Sequence, residues 1–197
     1  MKKIFFAAIQ AFFLLFPIIA QGVLIDLSEE QVREAKQFSA DHKKDTGIVL
    51  NNMYAVGKNK LFTERVIIRT KWHKTAIIAA LKVQNNEPFT EKECADILND
   101  TFLQLDIILF GHSIDFANDY QVTLIQNNKT LKPEKVHADH FQLARHRKNI
   151  FSGFPAYRAT ICSYFDYTQI DPLGSIKLII QKNGAKKEFV IDLALFK

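Results

Sequence analysis

Two runs of alternating apolar and polar positions close the chain, and they meet at Asn183-Gly184. Ile176, Leu178 and Ile180 fall on one side of the first run, and Phe189, Ile191 and Leu193 fall on one side of the second. Alternation with period two predicts strands with one buried face, and Asn-Gly supplies the positive φ angles of a tight hairpin. A lone hairpin is marginal in water, so this one requires further strands and a covered face. Earlier segments offer them. Leu103, Leu105, Ile107 and Leu109 form an apolar face, opposite a mixed face of Phe102, Gln104, Asp106, Ile108 and Phe110, which predicts a central strand ended by Gly111. Tyr120, Val122 and Leu124 alternate next, and Asn127-Asn128-Lys129 reads as a turn into a strand over 130–137, where Pro133 marks an edge position or an interruption. Residues 157–165 alternate again, and Asp171-Pro172-Leu173-Gly174 turns the chain into the closing hairpin.

The front of the chain has a different period. Ser28 followed by Gln31 is a capping-box signature, with Val32 and Ala35 at helical spacing behind it. Residues 47–60 fit helix and strand equally well. Val66, Ile67 and Ile68 predict a short buried strand over 64–69. Trp72, Ala76, Ala79, Ala80 and Val83 then form a helical stripe with Thr70 as cap, and Thr90 with Glu93 opens a second, shorter helix through Leu98. The expected fold is therefore α+β: short helices packed on a predominantly antiparallel β-sandwich of about seven strands. A helical front section over 23–100 precedes a β-domain over 101–197, and the two form one compact unit.

Residues 1–22 stand apart from this pattern. Lys2 and Lys3 begin the chain, residues 4–19 carry no charge, and Ala20-Gln21-Gly22 places small residues where a signal peptidase reads them. The order predicts a cleaved signal peptide and a mature chain that is periplasmic or secreted; an uncleaved anchor helix is the alternative reading. No later stretch is apolar enough to predict a transmembrane segment after cleavage. Without the two lysines the formal charge falls from +5 to 5 − 2 = +3, a balance that gives no argument for nucleic acid. Two cysteines are too few for a disulfide scaffold, yet in an oxidising compartment Cys94 and Cys162 can pair if the helical pair packs on the face that carries Cys162.

Signatures of known chemistry are missing from the sequence: no Gly-rich phosphate loop, no Gly-x-Ser-x-Gly elbow, no His-Glu-x-x-His and no Cys-x-x-Cys. No cofactor is expected. His137, Asp139 and His140 are weak metal candidates, since the two imidazoles share a face only if the segment coils; in a strand they point apart. Asp106, in the most apolar strand, is expected on a partly solvated face beside Gln104. Residues 138–156 read as a nineteen-residue structureless connection rich in aromatic and basic side chains. In it, Arg145, Arg147 and Lys148 form a candidate cationic rim, with Phe151 and Phe154 tucked beneath, for an anionic glycan, a lipid headgroup or an envelope protein. The leading expectation is an exported, non-enzymatic binding module. A small secreted hydrolase with a dispersed site and a structural subunit of an envelope assembly are the alternatives.

Overall fold

The computed structural model describes residues 22–42, 44–58, 60–143 and 155–197. Among the described residues, four helices precede the long strands. Helix α1 (Glu29–His42) begins at the predicted capping box, where the Ser28 amide donates to Gln31 Oε1 at 2.8 Å and the Gln31 amide donates back to Ser28 Oγ at 3.3 Å. The ambiguous segment resolves into α2 (Thr46–Met53) and a three-residue strand, β1 (Ala55–Gly57). Strand β2 (Arg65–Arg69) runs with no loop into α3 (Lys71–Gln84), because Thr70 ends one and caps the other. Its hydroxyl accepts the His73 amide at 3.1 Å. Helix α4 (Glu91–Leu98) opens on the Thr90–Glu93 capping box, with both reciprocal bonds present.

The remaining strands are β3 (Phe102–Gly111), β4 (Gln121–Gln126), β5 (Lys129–Leu131), β6 (Lys135–Gln142), β7 (Tyr157–Asp166), β8 (Ser175–Lys182) and β9 (Ala185–Asp192). They build two antiparallel sheets, one of five strands in the order β1-β2-β3-β7-β6 and one of four in the order β5-β4-β8-β9. The α+β class is as expected, with nine strands among the described residues where the pattern suggested about seven. One of the two extra strands is β1, from the ambiguous segment, and the other follows from Pro133. The run over 130–137 is not one strand: β5 belongs to the four-stranded sheet and β6 to the five-stranded sheet, and the chain passes between them through residues 132–134, where proline has no amide for a ladder.

The closing hairpin is as read from the sequence. Asn183 and Gly184 take φ of 49° and 79°, the left-handed pair that a two-residue hairpin loop requires. The register sets Ile176 opposite Ile191 and Leu178 opposite Phe189, all buried. These side chains join one hydrophobic cluster with Leu103, Leu105 and Ile107 of β3, Val66 and Ile68 of β2, and Leu50, Trp72 and Ala76 of the helices. Trp72 is thus a core residue, as expected, with Phe38 edge-on at 5.5 Å and Tyr54 stacked at 6.3 Å.

Because side chains alternate across a strand, filling one face of the five-stranded sheet with this core commits the other face. That second, polar face carries Arg65 and Arg69 on β2, Gln104 and Asp106 on β3, Arg158 and Cys162 on β7, and His137 and Asp139 on β6.

Candidate functional site

The polar face is organised at its helix end by Arg69. The last residue of β2 lies four positions before His73 in the first turn of α3, so its guanidinium folds back over the strand-to-helix junction. Nε donates to Asp106 Oδ2 at 2.7 Å, and Nη1 reaches both Asn51 Oδ1 at 2.9 Å and His73 Nε2 at 3.2 Å. Gln104 Nε2 donates to the other Asp106 oxygen at 2.7 Å, and the Cys162 thiol faces the same carboxylate across the strand. Asp106 is 5 % exposed. The expectation of a partly solvated strand face here is corrected: a carboxylate can leave water when a guanidinium and further donors replace its hydration.

These contacts fix the state of two reactive-looking groups. A guanidinium has only donors, so His73 Nε2 accepts, and the ring proton of neutral His73 resides on Nδ1. That nitrogen is buried without a partner. Burial above all, with the charges of Arg69 and Lys74 adding to it, lowers the His73 pKa to about 3. Burial, reinforced by the Asp106 charge and hydrogen bond, raises the Cys162 thiol to about 12. One is held as a neutral imidazole and the other as a protonated thiol.

Above this network lies a groove of about 760 Å³. Its floor is formed by Arg69, Gln104 and Asp106, and its sides by α3 and α4. Ile77, Ile78 and Ile97 supply apolar surface; Lys74, Glu93, Asp96, Asn99 and Asp100 supply polar groups. The helices are pinned where they meet. Lys74 pairs with Asp100 at 2.5 Å, and Lys82 pairs with Glu93 at 2.7 Å. The Lys71 ammonium donates to the Leu98 carbonyl at the C-terminus of α4, the end of a helix that favours a cation. Most charges lining the groove are therefore matched: Arg69 with Asp106, Lys74 with Asp100, and Glu93 with Lys82. Among the described residues, Asp96 lines the groove exposed and outside any ion pair.

The residues singled out in the sequence fare differently. Arg145, Arg147, Lys148, Phe151 and Phe154 lie outside the described residues. The nineteen-residue connection expected over 138–156 is shortened, because β6 continues through Gln142 as the edge strand beside β7. His137 and His140 are thus in a strand at odd spacing. His137 sits opposite Cys162 on the polar face, where its Nε2 meets Asp139 Oδ1 at 2.8 Å, while His140 sits opposite Ala159 and points to the other side. Of the two arrangements open to this segment, the strand is the one found, and it points the two imidazoles apart. Among the described residues no group of three or more His, Cys, Asp or Glu side chains is placed to hold a metal ion. Cys94 and Cys162 are free thiols, the first half-buried on α4 and the second buried on β7. No helix among the described residues is long and apolar enough to cross a membrane.

Arg69 and His73, the organisers of the site, were missed by sequence reasoning. A signal existed for each: Arg65 and Arg69 bracket the apolar triplet of β2 at even spacing, and His73 precedes Ala76 and Ala80 by three and seven positions on the buried stripe of α3. No protein-family model matches the chain, and comparison with curated proteins finds no relative.

Proposed function

We propose that the protein is an exported binding module: a β-sandwich of the five- and four-stranded sheets, with a ligand groove between the α3–α4 pair and the polar sheet face. The observation that carries this reading is the groove itself. Its volume is that of a small-molecule site, and it combines an apolar wall with convergent polar groups held by ion pairs on three elements.

The state of His73 and Cys162 favours binding over catalysis. A nucleophilic mechanism needs an available thiolate or a base near neutral pKa. Here the thiol is raised to about 12, the imidazole is lowered to about 3, and each side chain is engaged with a different partner. Paired charges still offer spare lone pairs and N–H groups to hydroxyls, and Asp96 adds one uncompensated carboxylate. The ligand class that fits is a small polyhydroxylated molecule, neutral or carrying an amine.

A panel of sugars, amino sugars, amino acids and nucleosides, read by thermal shift, tests this. A ligand present at a hundred times its Kd contributes about 2.7 kcal/mol of stability. An active compound is expected to raise Tm for the parent and to lose that rise in Ile78→Trp, whose indole fills the groove. An equal rise in the variant would contradict the proposal.

Export is part of the same proposal and rests on the basic, apolar, small-residue order of 1–22. Mass spectrometry of exported protein is expected to find a mature N-terminus at or near Val23. That residue is itself buried in the core cluster, with its amide donating to the Pro172 carbonyl at 3.1 Å. Exported protein that retains Met1 would contradict this part.

A further inference from the structure

At the end of the polar face away from the groove, two guanidiniums share a patch of surface where, among the described residues, neither is held in an ion pair. Arg65 of β2 is level with Ile108 of β3, and Arg158 of β7 is level with Phe110, the next residue on the same face of β3. The two arginines therefore flank the central strand from either side, one step apart along it. Two strand spacings put their backbones about 10 Å apart laterally, a gap that two arginine side chains can close from both sides.

Both side chains are half-buried, and among the described residues neither takes part in an ion pair; Arg158 Nε is buried with no hydrogen-bond partner. The nearby acids are bonded first to other groups, and the Asp106 charge offsets only part of what burial and Arg65 do to Arg158. Asp106 is bonded by Arg69 and Gln104, Asp139 meets His137, and Glu64 pairs with Lys187. Burial, with the neighbouring charge of Arg65 next in size, lowers the pKa of Arg158. Two like charges partly withdrawn from water and unmatched are unfavourable unless something supplies negative charge.

We propose that Arg65 and Arg158 form a binding site for a phosphate monoester, distinct from the groove beneath α3 and α4. Guanidinium forks match tetrahedral oxyanions, and three terminal oxygens allow one fork to bind through two bonds while the other binds through one. The neighbouring side chains suit an ester better than the free ion. Phe141 lies directly across from Arg158 on β6 and is 53 % exposed, and Phe110 lies across from it on β3, braced edge-on by Phe62 at 5.7 Å. An organic group attached to the phosphate would cover the exposed Phe141 ring.

The test uses the full mature chain with inorganic phosphate, phenyl phosphate, and phosphatidylcholine vesicles with or without phosphatidic acid, against Arg65→Gln and Arg158→Gln. Saturable binding of phenyl phosphate, tighter than inorganic phosphate and weakened at least tenfold by either substitution, is the expected result. Co-sedimentation with the phosphatidic acid vesicles, lost in the same variants, assigns the site to a lipid headgroup; phenyl phosphate binding without co-sedimentation assigns it to a soluble ester. The unliganded variants are expected to melt no lower than the parent, because each removes one of two repelling charges. Phosphate affinities equal in parent and variants, absence of binding by every phosphate probe, or variants that lose stability while keeping affinity would each overturn the proposal.

Discussion

Asp106→Ala is expected to lower the unfolding free energy by about 3–5 kcal/mol, the cost typical of breaking a buried ion pair by removing one partner. For a chain of this size that is a fall in Tm on the order of 6–20 °C. The loss goes beyond one contact. Without the carboxylate, Arg69 Nε, Gln104 Nε2 and the Cys162 thiol lose a common acceptor, and Arg69 becomes a third unmatched guanidinium beside Arg65 and Arg158. Removing both partners leaves no stranded charge, so Arg69→Met with Asp106→Leu is expected to recover most of the stability that Asp106→Ala loses. Urea denaturation of the parent, the single variant and the double variant measures this. A single variant within about 1 kcal/mol of the parent would mean that the pair is far less buried in solution than its geometry implies.

Acid is expected to weaken the fold well above the carboxylate range. The His73 pKa is lowered in the folded state, from the ordinary 6.5 to about 3, chiefly by burial. Between those values the unfolded chain binds a proton that the folded chain refuses, so stability rises with pH across this window and is lost as pH falls through it. The slope approaches about 1.4 kcal/mol per pH unit once the pH is well below 6.5, and between pH 7 and pH 4 the loss amounts to roughly 3 kcal/mol. Glu93, whose pKa is lowered to about 2 mainly by its bond from Lys82, adds acid sensitivity only below its ordinary 4.5, where its window overlaps the lower part of the histidine's. Stability measured from pH 7 to pH 5 therefore isolates the histidine from the glutamate. His73→Gln is expected to flatten the profile there, and an unchanged slope in that variant would assign the acid sensitivity to other groups.

What the sequence disclosed and what it concealed divide along a physical line. Features set by residues three or four apart were legible: the capping boxes at Ser28 and Thr90, the Thr70 cap, and the Asn183-Gly184 turn each depend on a local side chain or a local φ. The core face of β3 was legible too, because Leu103, Leu105, Ile107 and Leu109 leave no other reading. The polar network was not. Arg69 and Asp106 are 37 residues apart, and they meet because β2 pairs with β3 in one particular register. No local pattern encodes that register, so the sequence left Asp106 with only Gln104 as a visible neighbour. Strand β6 ends five residues later than the pattern reads, for another reason. It is an edge strand with weak apolar contrast between its faces, His137, Asp139 and Phe141 against Val136, Ala138 and His140, so alternation carries little signal and pairing with β7 decides the outcome.

On the proposed function, the groove between α3, α4 and the polar sheet face is where this protein binds its ligand. Backbone amide shifts of isotope-labelled mature protein, titrated with the compound that gives the largest thermal shift, measure that placement. Saturable changes are expected to concentrate in residues 73–78, 93–100 and 104–106, the segments that line the groove. Changes concentrated instead along α1 at Glu30, Arg33 and Glu34, beside the separate cleft of about 470 Å³ that these residues line with Trp72 and Lys197, would contradict it.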